Sequence, residues 1–298
     1  MICVNINGGL GNQMFQYACG KALAIKNNTS LVLDLSLMNK VKGSSRATKR
    51  SFELSDVFNV HSTEASVAEL KRIKPIEYRA LNVFAIKLGL KGIQKSKYFI
   101  ENKFSFDPNI KKVGKDCYLS GYWQSPKYFD VVESLIHDEF TFQRKLDYKN
   151  LGIESLIRGV NAVSIHIRRT DFQNTVSNSI HGICSLEYYG EAVKFISTKL
   201  ANPHFFVFSD DVNWAKENLN LPYQCTFISG NSGSKSYIDM QLMSACKHNI
   251  IANSSFSWWG AWLNKNLNKI VIAPKIWFVD KKLNDQTIDL IPDSWKRM

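Results

Sequence analysis

The stretch His166-Ile167-Arg168-Arg169-Thr170-Asp171 closes an apolar run with two adjacent guanidinium groups, an imidazole two residues before them and a carboxylate two residues after. Two neighbouring arginines at a strand end are costly to bury without an anion, and the planar fork of Arg donors suits phosphate. One guanidinium can hold a pyrophosphate while the other turns away and pairs with a carboxylate such as Asp171. A purely structural Arg–Asp ion pair accounts for the same residues. His166 is either part of that site or a satisfied core histidine.

Four further groups carry chemistry. Asp210-Asp211 follows an aromatic run and opens a helix. One of the pair caps that helix, and Asp210, nearer the strand, is placed to accept from the N1 and N2 donors of a guanine. Ser254-Ser255-Phe256-Ser257 opens a second helix, where hydroxyls and backbone amides make a phosphate cradle. One of these serines is the N-cap in either case. The glycine loop Gly8-Gly9-Leu10-Gly11-Asn12-Gln13 lets backbone approach a ligand, or is only a tight strand-to-helix turn; it is neither a P-loop nor a dinucleotide fingerprint. Asp239, in the first turn of a helix, is a dipole partner or a carboxylate that orients an arginine. Trp258, Trp259 and Trp262 read as packing rather than as sugar-stacking surfaces.

Missing patterns narrow the chemistry. The chain has no Asp-x-Asp and no His, Cys or Glu set at metal-ligand spacing, so no metal is expected. The absence of a Gly-x-Ser-x-Gly elbow argues against a serine hydrolase.

These groups need a scaffold that gathers them. Strands are expected at residues 2–6, 30–35, 116–123, 162–167, 204–208, 224–228, 249–252 and 270–273. Helices are expected at 13–26, 126–137, 186–200, 212–219, 237–246 and 256–264. Residues 62–115 read as mostly helical, 42–50 as a loop and 143–152 as a polar linker. Alternation at this spacing predicts an α/β protein with doubly wound parallel sheets. Ligands of such sheets bind beyond the carboxyl ends of the strands, and each candidate group follows a strand. The economical architecture is two Rossmann-like domains, 1–150 and 151–298, facing a central cleft.

The 298 residues carry a net charge of +12, with 45 % hydrophobic and 21 % charged side chains. That excludes a disordered or low-complexity chain. The excess charge gathers in residues 71–115, where twelve Lys and Arg outnumber Glu77, Glu101 and Asp107. Such a field favours nucleic acid, anionic lipid or a phosphorylated substrate. No nucleic-acid module accompanies it. Residues 78–93 mix Leu81, Phe84 and Leu88 with Arg79, Lys87 and Lys91: either an amphipathic stretch lying on an anionic membrane or a core-facing helix with solvated lysines. The six cysteines form no C-x-x-C pair and read as reduced thiols. The opening residues read directly as a strand, so no leader is expected, and no apolar run is long enough to span a bilayer.

Taken together, the glycine motif running on through Met14-Phe15-Gln16-Tyr17, the stretch Ser120-Gly121-Tyr122-Trp123-Gln124-Ser125, the arginine motif, Phe208-Ser209-Asp210-Asp211, Asn253-Ser254-Ser255-Phe256-Ser257-Trp258-Trp259 and Ala273-Pro274 with Trp277-Phe278 resemble the α-1,2-fucosyltransferases, glycosyltransferase family 11. The resemblance runs through the chain in order, apart from about residues 38–115. It implies a GT-B-type fold, a GDP-β-L-fucose donor substrate with no separate cofactor, inversion without a metal, and transfer to the 2-hydroxyl of a galactoside-terminated acceptor. That acceptor can be lipid-linked, as in bacterial surface polysaccharide (O-antigen) synthesis. A transferase of another nucleotide sugar and a non-catalytic nucleotide- or glycan-binding module are the alternatives.

By motif match the donor would meet Gly9, Gly11, Asn12, Gln13, His166, Arg168, Arg169, Asp210, Ser254, Ser255, Phe256 and Ser257. Arg168 would hold the pyrophosphate and Asn12 would lie beside the fucose and β-phosphate. Asp171 is the candidate base, and Asp239 a supporting residue. The donor side falls in the second half and the acceptor side in the first. The expected location is the cytoplasm; if the amphipathic reading of residues 71–115 holds rather than the core-facing one, contact is peripheral, at the inner face of the membrane.

Overall fold

Strand β1 (Ile2–Asn5) is buried along its whole length, which suits an apolar run at the centre of a parallel sheet. Pairing with β2 (Leu31–Asp34), β3 (Thr63–Glu64), β4 (Tyr98–Ile100) and β5 (Cys117–Ser120) is parallel throughout, in the order β3-β2-β1-β5-β4. The helix Leu10–Lys26 crosses from β1 to β2 and is buried over most of its length. This is the first unit, Met1–Thr141; the second is Phe142–Met298. The computed structural model describes residues 1–40, 51–73, 98–169 and 180–298.

The second sheet contains β6 (Asn161–Ile167), β7 (Pro203–Ser209), β8 (Gln224–Phe227), β9 (His248–Ile250), β10 (Val271–Ala273) and β11 (Lys296–Arg297). The order is β11-β10-β9-β6-β7-β8, again parallel throughout. Side chains alternate along β6. Val163, Ile165 and Ile167 pack with Tyr188, Tyr189, Ala192, Val193 and Ile196 of the helix Leu186–Ser197. Each fully buried Val or Ile among them is worth about 1.5–3 kcal/mol. Ser164 and His166 take the intervening positions, both buried.

Both units are therefore doubly wound α/β structures, the GT-B-type class expected from the sequence. The strands and helices of residues 161–264 fall where the periodicity puts them. Several other expectations need correction. The first helix begins at Leu10 rather than residue 13, because extended Gly9 acts as its cap and its carbonyl accepts from the amides of Asn12 and Gln13. Gly11, Asn12 and Gln13 therefore belong to a helical turn.

The described part of residues 62–115 is not mostly helical. It supplies β3 and β4, strands too short to show a local period; Tyr98 is fixed by its partner, its ring stacked on Tyr118 at 5.1 Å. The expected helix at 126–137 divides into 3-10 turns at Pro126–Tyr128 and Asp130–Val132 before the helix Glu133–Glu139, as Phe129 turns inward. The polar stretch 143–152 already contains the start of the helix Tyr148–Gly159, capped by Asp147. Residues 42–50 and 78–93 and Asp171 lie outside the described residues. Trp258 and Trp259 are fully buried and Trp262 nearly so, so they pack. All six cysteines are free thiols. Among the described residues no helix is long and apolar enough to cross a membrane.

Candidate active site

In the second sheet the chain runs outward through β6, β7 and β8, then returns to the other side of β6 for β9, β10 and β11. The order reverses between β6 and β9. That reversal opens the crevice in which doubly wound sheets bind nucleotides. The segment after β6 holds Arg168 and Arg169, and the segment after β9 holds Asn253, Ser254 and Ser255.

Arg168 Nε lies 3.3 Å from Asp210 Oδ2, with both side chains mostly buried. The backbone N–H of Arg169 donates to the other oxygen, Asp210 Oδ1, at 2.9 Å. One carboxylate thus holds a guanidinium and the backbone of the next residue. Arg169 goes another way: its guanidinium lies 3.5 Å from the centre of the Trp214 ring and 3.8 Å from Asp211 Oδ2. Asp211 also caps the helix Val212–Asn218 by accepting from the amide of Trp214. The two arginines are therefore separated by the register of Asp210-Asp211 at the end of the adjacent strand.

His166, one residue before the end of β6, is buried, and its ring centre is 5.8 Å from that of Phe256. Burial, helped by the positive charge of Arg168, pushes its pKa well below the usual imidazole value, although Asp210 opposes the shift. The ring is neutral at pH 7. Its Nδ1 is buried without a hydrogen-bond partner among the described residues. Tyr189 Oη donates to the His166 carbonyl at 3.0 Å and ties the strand end to the helix behind it.

The helix Ser255–Trp262 is capped by Ser254, whose hydroxyl accepts from the amide of Phe256. Its last carbonyls, those of Ala261 and Trp262, accept from the Lys269 ammonium, which complements the negative end of the dipole. Ser254, Ser255 and Phe256 are partly exposed at the N-terminal end. Ser257 is fully buried, and its hydroxyl donates to the Ala252 and Ser254 carbonyls. Asn253 anchors the turn: its amide donates to the carbonyls of His181, Gly182 and Trp277.

The switch point of the first sheet falls between β1 and β5. Gly8 has φ +79°, and a Cβ there would come 2.6 Å from Asn12 Nδ2. The residue must therefore be glycine for the Asn12 amide to lie across it. Gln124 Nε2 donates to Asn12 Oδ1 at 2.8 Å. Gln13 is buried and bound to backbone throughout: Nε2 donates to the Gly8 and Ser51 carbonyls, and Oε1 accepts from the Glu53 amide. Gln16 accepts from the Asn7 amide and donates to the Gly121 carbonyl, clamping the segments after β1 and β5 together. Gly9 and Gly11 are parts of the cap and first turn.

Asp239 meets an amide: Asn231 Nδ2 donates to it at 2.8 Å, and Asn231 pairs reciprocally with Asn150. Burial raises its pKa to about 6 against the influence of Asn231 and Lys149. Sequence reasoning missed Gln16, Gln124, Trp214 and Glu101. Gln124 lies in a motif noticed for other reasons, and Glu101 is one of three acids in a basic stretch.

An arginine held at a sheet switch point, a buried histidine and a capped helix start thus lie at or just beyond strand ends of the second unit, in a chain that its family model makes a glycosyltransferase. The chain belongs to glycosyl transferase family 11, whose sequence model matches residues 1–296. It is 37 % identical over 305 residues to an alpha-1,2-colitosyltransferase of Escherichia coli, covering 100 % of this chain and 99 % of the relative. It is 35 % identical to the O-antigen biosynthesis glycosyltransferase WbnK of Escherichia coli, covering 95 % and 97 %. The solved Arabidopsis thaliana FUT1 mutant in complex with GDP shares the fold at a TM-score of 0.52 and 12 % identity, over 98 % of this chain and 74 % of that one.

Proposed function

We propose that the protein transfers L-fucose from GDP-β-L-fucose to the 2-hydroxyl of a terminal galactoside, with inversion and without a metal, in O-antigen synthesis. The observation that carries the reading is Arg168, held through Nε by Asp210 at the switch point of the second sheet.

Cleaving the sugar–phosphate bond leaves charge on the GDP β-phosphate and an oxocarbenium-like sugar. A guanidinium fixed before the reaction stabilises that charge as it grows and needs no reorganisation. The amides at the start of Ser255–Trp262, with the hydroxyls of Ser254 and Ser255, add fixed partial positive charge. Neutral His166, whose Nδ1 has no hydrogen-bond partner among the described residues, is proposed to gain one from the nucleoside. Asp210 is proposed to read the guanine at the same time as it holds Arg168. Ser257 and Gln13, both spent on backbone, support the site from behind, and Arg169 shapes it through Trp214. The first unit supplies the acceptor side and, through Asn12, a donor contact. The acceptor hydroxyl attacks the face opposite the leaving group and loses its proton to a carboxylate, for which Asp171 is the candidate.

A second donor has a specific argument. One relative at 37 % identity is named a colitosyltransferase, and colitose differs from fucose by the loss of one hydroxyl. The test is acceptor-dependent GDP release from GDP-fucose and from GDP-colitose, with a β-galactoside, in EDTA, for wild type and Arg168→Ala. Release from GDP-fucose by wild type alone supports the reading. Preference for GDP-colitose assigns that donor instead. Loss of activity in EDTA overturns the metal-free mechanism.

A further inference from the structure

The turn after β5 is built around Glu101, which follows β4 and to which no role has been given. Glu101 Oε2 accepts from the backbone N–H of Tyr122 at 2.7 Å, and Oε1 accepts from that of Trp123 at 3.0 Å. Gly121 lies directly against the Glu101 side chain, so no larger residue fits between them. Trp123 is fully buried and has φ +57°. That left-handed conformation is a genuine outlier for a bulky residue and persists only where surroundings over-determine it. Here two hydrogen bonds accepted by one carboxyl group hold the backbone on one side. The rings of Phe99 and Tyr128 enclose the indole on the other.

The reversed backbone at Trp123 has one consequence for the site. It aims the next side chain, Gln124, back across the sheet edge, where its amide donates to Asn12 Oδ1 at 2.8 Å. Asn12 in turn lies over Gly8. An uninterrupted series of contacts therefore runs from Glu101 through Trp123 and Gln124 to Asn12, all within the first unit.

We propose that Glu101 is a positioning residue for Asn12, acting through the left-handed turn at Trp123 and the Gln124 amide. The carboxylate keeps the strained turn in place, the turn aims Gln124, and Gln124 sets which end of the Asn12 amide accepts and which is presented. The catalytic consequence rests on Asn12 contacting the donor, as proposed above.

The test uses the full chain and the variants Glu101→Gln, Gln124→Met and Asn12→Ala, singly and combined. Glu101→Gln keeps the size but replaces one acceptor oxygen with a donor; Gln124→Met keeps the length and removes the amide. Each is expected to lower kcat by about tenfold with the donor KM within about twofold. Neither should add to the loss in an Asn12→Ala background, because residues acting as one unit are non-additive. A full additional loss in that background would mean that Glu101 acts apart from Asn12 and would overturn the proposal.

A second readout needs no turnover. In wild type the side-chain amide protons of Asn12 and Gln124, followed by NMR, should exchange slowly; in Glu101→Gln both should exchange at least about tenfold faster. Unchanged exchange in a folded Glu101→Gln variant overturns the positioning role. Absence of turnover with every donor refutes the proposed function, and the exchange measurement still decides the role of Glu101.

Discussion

The guanidinium of Arg169 lies 3.5 Å from the centre of the Trp214 ring, while its neighbour Arg168 is held by Asp210. Two residues alike in sequence thus have different tasks. The first prediction follows from that difference. Arg168→Lys should lower kcat by at least about a hundredfold, the usual cost of losing a transition-state anion contact, because a point charge cannot reproduce the fork. Arg169→Lys loses planar stacking and should cost less than about tenfold. Steady-state kinetics of both variants checks the ranking; equal losses would show that Arg169 also contacts the donor.

Gly8 is the position where backbone freedom matters most to Asn12. At φ +79°, with the Asn12 amide across it, alanine meets both backbone strain and a clash. Gly8→Ala should destabilise the protein by about 1–2 kcal/mol and depress turnover as Asn12→Ala does. Urea unfolding with parallel kinetics tests it, and an alanine variant of wild-type stability would contradict the geometry.

Stability should respond to pH at Glu101. Burial raises its pKa from 4.5 to about 7, against the two backbone N–H bonds that favour the charged form. The folded state therefore holds the proton more tightly than the unfolded chain. The contribution is full below about pH 4.5 and is lost as pH rises through 7. Relative to Glu101→Gln, wild type should lose about 2 kcal/mol of unfolding free energy between pH 5 and 8. Parallel curves for the two proteins would exclude the shift.

His166 has the opposite sign. Its folded pKa is depressed by burial and by Arg168, so its contribution is present above about pH 6.5 and is lost as pH falls below that value. The imidazole should show no titration by NMR between pH 5 and 8. A protonation step in that range would refute the buried, neutral assignment.

Ser254 and Ser257 separate capping from support. Ser254→Ala removes the helix cap and should cost about 1 kcal/mol of stability, with an increase in the donor KM if the hydroxyl meets phosphate. Ser257→Ala should change stability while leaving the donor KM within about twofold, because its hydroxyl donates to the Ala252 and Ser254 carbonyls. Thermal unfolding and kinetics of both variants decide between these roles.

The second unit was largely legible because its signals are local. The run His-Phe-Phe-Val-Phe of β7 reads as a buried strand, and Tyr188, Ala192 and Ile196 of the following helix recur at helical spacing. The arginine pair, Asp210 and the serine-capped helix each follow such a strand, so their gathering at one edge could be argued from order alone. β3, β4 and β11 are only two or three residues long. They exist because a neighbouring strand offers hydrogen bonds, and a window of residues cannot show that.

Residue types and strand order thus already determined which polar groups follow the carboxyl ends of strands: Arg168, Asp210, Ser254 and the glycines before Asn12. Tertiary contacts decided what each group does there. Asp211 and Trp214 take Arg169 while Asp210 takes Arg168; Gln13 and Ser257 are consumed by backbone; Glu101 reaches Trp123 across twenty-two positions of sequence. A donor or carboxylate has few lone pairs and protons, and burial penalises each one left without a partner. Which partner lies within reach depends on strand register and on the left-handed turn at Trp123, and neither is written in local spacing.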